Sequence, residues 1–241
     1  MDPVDCQEAG TVERNALEEN ARGYAYHFQV YLPPCYELET ERAYPVLYLL
    51  PGRGSGPGSW FAAGVNEKAD ELILSGKVPP FLIIATDNTD SDPQANTIYQ
   101  ELLPTVKSRY RVLDERQFQA VAGGSLGGIG AYRLVFQHPD QFASAGIFGS
   151  GLIYGEEAQL QSWLRELSPE IEPRVFLNVG EQDPLMLERA KVMEGLLFDA
   201  GIETASVYSP GQHTYSYWVS NIGLYFEWLA KEWQQTNNNQ P

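Results

Sequence analysis

Gly123-Gly124-Ser125-Leu126-Gly127-Gly128 lies between a short apolar run, 118–122, and a stretch of helical spacing, 129–137. A serine in that place falls at a sharp strand-to-helix turn, which lifts its hydroxyl clear of a sheet edge. Such a turn leaves no room for side chains two residues to either side, and Gly123 and Gly127 occupy those positions. Ser125 is therefore a candidate nucleophile. The five-residue G-x-S-x-G pattern is short, and the plain alternative is a Gly-rich turn with an incidental serine. The surrounding segments decide between the two.

Upstream, residues 46–50 and 81–85 are continuous apolar runs, as expected of strands covered on both faces. Helical spacing runs through 61–74, which stops at Gly76, and through 98–110 despite Pro104. Downstream, strands at 143–148, 175–179 and 204–208 alternate with helices at 159–167, 185–200 and 215–233. This alternation predicts an α/β fold with a mostly parallel central sheet and helices on both faces. Tyr24, Tyr26, Phe28, Val30 and Leu32 alternate with smaller or more polar neighbours and read as a half-buried strand of an edge hairpin before Pro33-Pro34. Residues 1–22 are expected to form a polar arm, 23–233 a single catalytic domain, and 234–241 a polar tail.

The chain has 241 residues, enough to bury a core without metal or disulfide staples. Thirty-two Asp and Glu against 16 Lys and Arg leave a formal charge of −16, which argues against nucleic acid or an anionic membrane surface as a partner. No apolar segment reaches the ~18 residues needed to span a bilayer, and residues 1–20 carry no basic n-region. The chain as it stands reads as cytoplasmic, or as secreted if a signal has been removed. Cys6 and Cys35 encode no disulfide framework or Cys-rich zinc site, although a single bridge between them is compatible with the sequence.

A serine hydroxyl is a weak nucleophile at neutral pH and needs a base, oriented in turn by a third group. Of the three histidines, His27 lies inside an expected strand, where a structural role fits better. His138 ends the helix that begins beside Ser125, roughly 20 Å away at the helical rise. His213 remains, on the loop between the last strand and the last helix, where a base can reach over the carboxyl edge of a sheet. Strand 175–179 runs into Gly180-Glu181-Gln182-Asp183, so Asp183 or Glu181 is placed to hold His213, with Asp183 preferred. Asp183 is equally a good N-cap ahead of Pro184. The oxyanion donors are expected to be the amides of Leu126, at the start of a helix, and Arg53, in Pro51-Gly52-Arg53-Gly54-Ser55-Gly56, with Gly54 next in line. That glycine run lacks the lysine of a phosphate loop.

Leu49-Leu50-Pro51-Gly52-Arg53-Gly54, the nucleophile block with His138-Pro139-Asp140, Gly180-Glu181-Gln182-Asp183 and Gly211-Gln212-His213 together resemble the successive blocks of the esterase D-like family of α/β-hydrolases, which includes feruloyl esterases. The resemblance covers residues 24–233. It implies the α/β-hydrolase fold, Ser125 as nucleophile, Asp183 as acid and His213 as base, with no cofactor and no metal. It also implies hydrolysis of a carboxylic ester through an acyl-enzyme. The substrate would be a small molecule or an ester linked to a polysaccharide, such as a feruloyl or acetyl ester. Acyl transfer, thioester hydrolysis and a non-catalytic binding module are the rival readings, and a homo-oligomer is compatible with the sequence. Pro51 is a departure, since members often carry His there, which bears on the donor assigned to Arg53.

Trp60, Tyr154, Tyr215 and Trp218 fall near strand-to-helix loops and are candidate walls of an acyl or aromatic site, although aromatic residues are more often core. Asp87-Asn88-Thr89-Asp90-Ser91-Asp92 has the look of a calcium loop but lacks the glycine and glutamate of an EF-hand, and is read as pocket rim.

Overall fold

Val46–Leu50 is apolar at all five positions and fully buried, and it forms β3 in the middle of the sheet, paired in parallel with β4 (Leu82–Thr86) and β5 (Gln119–Gly124). Alternate side chains of a strand point to opposite faces. Val46, Tyr48 and Leu50 accordingly join one core with Leu134 and Val135 of α4 (Leu126–Gln137) and Met193 and Leu197 of α6 (Pro184–Asp199). Leu47 and Leu49 join the opposite core with Val65 and Ala69 of α2 (Val65–Leu74) and Ile222 and Tyr225 of α7 (Tyr215–Asn237). The expected layering is thus present, with helices on both faces of the sheet.

The computed structural model describes residues 6–17, 25–87 and 97–237. Within them, β1 (Thr11–Leu17), β2 (Tyr26–Leu32), β6 (Ser144–Phe148), β7 (Arg174–Gly180) and β8 (Thr204–Ser209) complete an eight-stranded sheet of order β1-β2-β4-β3-β5-β6-β7-β8. The β1–β2 and β2–β4 pairs are antiparallel, and the remaining pairs are parallel. Their carboxyl ends converge on the loops that carry Ser125, Asp183 and His213. Tyr24 and the segment Asn88 to Asp92 lie outside the described residues.

Several elements differ from expectation for local reasons. The stretch 61–74 is two helices, α1 (Ser59–Ala62) and α2, separated at Gly64, whose φ of 97° is open to glycine at little cost. Residues Ile98–Leu102 form a π-helical turn leading into α3 (Leu103–Arg109). Pro104 lies in the first turn of α3, where its missing N–H removes no helical bond. Helix α5 (Glu157–Glu166) ends on schedule.

The polar arm contains a strand that periodicity does not reveal. β1 pairs only with β2 and exposes its first four residues, so it carries no apolar alternation, and the sheet edge is β1 rather than the strand after it. Two contacts tie it down. Asp70 of α2 accepts hydrogen bonds from the Gly10 amide at 2.8 Å and the Tyr31 hydroxyl at 2.7 Å. Burial, reinforced by the Asp70 carboxylate, pushes the Tyr31 hydroxyl pKa upward, so it stays a donor. Cys6 and Cys35 form a disulfide with their Cα atoms 5.8 Å apart. Closing a loop of this size constrains the unfolded chain by about 2–4 kcal/mol. Cys6→Ser is expected to lower the unfolding free energy by a corresponding amount, and chemical denaturation of the wild type and the variant, with and without reductant, measures it; an unchanged midpoint would show that Asp70 alone anchors the arm.

Candidate active site

Ser125 has φ 55° and ψ −116°, a conformation that L-residues rarely adopt and that costs about 1–3 kcal/mol. The surrounding backbone holds it there. Its amide donates to the Phe148 carbonyl at 2.8 Å, extending the β5–β6 ladder, and its carbonyl accepts from the Gly128 and Ile129 amides of α4. The flanking glycines are required for close approach. A Cβ on Gly123 would lie 2.3 Å from the Gly127 backbone, and one on Gly127 would lie 2.3 Å from the Leu50 carbonyl oxygen. The Ser125 hydroxyl makes no hydrogen bond among the described residues.

His213 and Asp183 meet directly, Nδ1 to Oδ2 at 2.5 Å, although they are 30 residues apart. Asp183 also precedes α6 as its N-cap residue, yet its side chain makes no capping hydrogen bond. Its carboxylate is committed to the imidazole, which decides between the two roles the sequence allowed. Glu181 is exposed, and the His213 contact goes to Asp183 instead. Asp183 is the more buried partner, with 12% of its side chain exposed against 39% for His213.

Two residues shape the His213 loop: Gln182, which the sequence did not single out, and Tyr215, which it offered as a candidate pocket wall. Gln182 clamps Gly211 in both directions, its amide donating to the Gly211 carbonyl at 2.9 Å and its Oε1 accepting from the Gly211 amide. Tyr215 sits two residues beyond His213, and its hydroxyl accepts from the Gly52 amide at 2.8 Å, joining the His213 loop to the Pro51–Gly54 turn. A Cβ on Gly52 would be 3.5 Å from that hydroxyl and 3.7 Å from the Ser125 Cβ, so Tyr215 and the serine flank one point.

Trp218 lies against both Gly124, next to Ser125, and the His213 ring. A Cβ on Gly124 would strike its indole at 2.5 Å, and the His213 ring stands edge-on to it with centroids 5.2 Å apart. Trp60 packs on both Trp218 and Tyr215, and its Nε1 donates to the Leu50 carbonyl at 2.9 Å. With Trp60 at 0% and Trp218 at 3% exposure, neither offers surface to a ligand. Both lie beneath the site as its floor, in place of the pocket wall expected of them, because their rings complete the core around α7. Tyr154, by contrast, is exposed beside Arg189. The amides of Leu126 and Arg53 donate to no group among the described residues, and Arg53 is exposed at the turn.

A family profile described as Esterase matches residues 20–223. The chain belongs to this family. An uncharacterized protein of Corynebacterium glutamicum is 24% identical over 261 aligned positions, which take in 92% of this chain and 60% of the relative. The endo-1,4-beta-xylanase/feruloyl esterase of Xylanibacter ruminicola is 24% identical over 190 positions, 72% of this chain and 25% of the relative. The chain therefore spans 60% of the length of the first of these relatives and a quarter of the second. A solved ferulic acid esterase superposes with a TM-score of 0.81 at 22% identity, covering 93% of this chain and 98% of that one. At that identity the likeness shows the fold, which is that of the α/β-hydrolases.

The glycine contacts make opposite predictions at two positions. Gly123→Ala pushes a methyl group into backbone and is expected to destabilise this esterase-family chain by about 1–3 kcal/mol or more. Gly195 is exposed in α6, with nothing within 4 Å of a Cβ there. Gly195→Ala is expected to stabilise by about 0.5–1 kcal/mol. Urea unfolding of both variants measures the pair, and equal effects would discount the close approach at the elbow.

Proposed function

We propose that this chain is a serine carboxylic-ester hydrolase working through an acyl-enzyme, with Ser125 as nucleophile, His213 as base and Asp183 as the acid that orients it. The observation that carries this reading is the His213–Asp183 hydrogen bond of 2.5 Å, in a chain whose Ser125 is held at φ 55° and whose Trp218 touches both the His213 ring and the position of Gly124 next to that serine. His213 takes the proton of Ser125 as its oxygen adds to the ester carbonyl, and Asp183 stabilises the imidazolium so formed. The Leu126 and Arg53 amides, which have no other partner among the described residues, donate to the developing oxyanion. His213 returns the proton to the leaving alcohol, then takes one from the water that attacks the acyl-enzyme, and the acid leaves as Ser125 recovers its proton.

The exposure of His213 supports water as the acyl acceptor, since acyl transfer to an alcohol is favoured where water is kept out. Feruloyl or acetyl esters of plant polysaccharides are the substrates this reading favours, supported by the kinship with a feruloyl esterase and by membership of the Esterase family. The Cys6–Cys35 disulfide supports an oxidising, extracytoplasmic setting over the cytoplasm. No helix among the described residues is long and apolar enough to cross a membrane.

Ser125→Ala is expected to lower kcat on p-nitrophenyl acetate and methyl ferulate by a factor of about 10⁴ or more while leaving the far-ultraviolet circular dichroism unchanged. Equal rates in the wild type and the variant would remove Ser125 from the mechanism.

A further inference from the structure

The turn that carries the Arg53 amide has few means of holding its own shape. Gly52, Gly54 and Gly56 take alternate positions in it, and glycine gives up more backbone freedom on ordering than any other residue. A Cβ on Gly54 or Gly56 would meet nothing within 4 Å, and Arg53 is exposed, so the outer side of the turn is open. Pro51 has no N–H to contribute. The Gly52 carbonyl accepts from the Ser55 amide at 3.1 Å, and the Gly52 amide donates to the Tyr215 hydroxyl at 2.8 Å. The first bond is internal to the turn; the second ties it to α7, at the far end of the chain.

The hydroxyl arrives at a fixed place. The Tyr215 ring stands nearly edge-on to Trp60, with centroids 5.1 Å apart, and against Trp218 at 4.9 Å. Trp60 in turn holds the Leu50 carbonyl through its Nε1, so one aromatic cluster grips the backbone on both sides of Pro51. A planar peptide moves as a unit, and the Arg53 N–H belongs to the peptide that follows the Gly52 Cα. With the Gly52 nitrogen fixed, only the φ and ψ of that one glycine separate the Tyr215 hydroxyl from the Arg53 N–H. An oxyanion donor is effective to the degree that it is aimed before charge develops.

We infer that Tyr215 is a positioning residue for ester hydrolysis: through the Gly52 amide, its hydroxyl holds the Arg53 amide where the oxyanion forms. The inference rests on Ser125 being the nucleophile and on Arg53 supplying a donor. Tyr215 acts on the turn, while His213 has separate supports in the Asp183 carboxylate and the Trp218 ring.

Tyr215→Phe keeps the ring and removes the hydroxyl. On p-nitrophenyl acetate and methyl ferulate it is expected to lower kcat about 10-fold with KM nearly unchanged, less than the loss of a donor itself. Inhibition by benzyl trifluoromethyl ketone, whose adduct with the serine carries an oxyanion, is expected to weaken by the same factor. The low-field proton NMR signal of the His213–Asp183 hydrogen bond is expected to stay in place. Tyr110→Phe removes a hydroxyl bonded to Asn15 and Glu13 of β1, and serves as a control for the loss of a tyrosine hydroxyl; its kcat is expected to match the wild type. A Tyr215→Phe enzyme with wild-type kcat and ketone affinity, a loss confined to KM, or a displaced His213 signal overturns the role of Tyr215 while the nucleophile stands. A wild type inactive on both esters, or one whose rates survive Ser125→Ala, overturns the nucleophile and this inference together.

Discussion

The backbone of Gly127 lies against Gly123 on one side and the carbonyls of Leu50 and Pro51 on the other, and the candidate site depends on that contact. It brings three chain segments to one point: the end of β5, the first turn of α4 and the exit of β3. A side chain at either glycine would push them apart by more than rotamer changes can absorb, since the opposing atoms are backbone. Because they meet, the strained Ser125, the unpartnered Leu126 amide and the Pro51–Gly54 turn share a corner at the carboxyl edge of the sheet. The strain at Ser125 is offset by the β5–β6 ladder, which continues through its amide to Phe148.

His213 reaches the same end of the sheet from the far end of the chain by a different means. Trp218 packs against Gly124 on one side and the His213 ring on the other, and Trp60 and Tyr215 close the aromatic cluster around it. Edge-to-face aromatic contacts of this kind contribute about 0.5–1.5 kcal/mol each beyond the area they bury. Gln182 then fixes the loop ahead of His213. A Cβ on Gly180 would come within 2.2 Å of the Gly211 carbonyl oxygen, so the Asp183 and His213 loops are nested as closely as their backbones permit. Asp183 gives up the capping bond that its position offers and holds the imidazole instead, while Pro184 starts α6 at no loss of a hydrogen bond.

Much of this was legible in the chain because it is local. Continuous apolar runs mark the buried parallel strands, and Val46–Leu50 matches its run residue for residue. The glycines around Ser125 mark a turn whatever the rest of the protein does. β1 was invisible because an edge strand paired on one side has no second face to keep apolar, and its stability comes from Asp70 and a disulfide that lie elsewhere in the sequence. The burial of Trp60 was equally hidden. An aromatic residue near a loop can serve as pocket wall or as floor, and the choice depends on whether another element covers it.

The sequence by itself determined the α/β class, the order of the elements and the serine turn, because periodicity and glycine spacing act through near neighbours. Only the tertiary structure decided that Asp183 binds His213 rather than capping α6, and that Tyr215 and Gln182 brace the loops. Each of these is a meeting of residues far apart in the chain. Such meetings are set by how the helices pack on the sheet, and no window of local sequence contains that information.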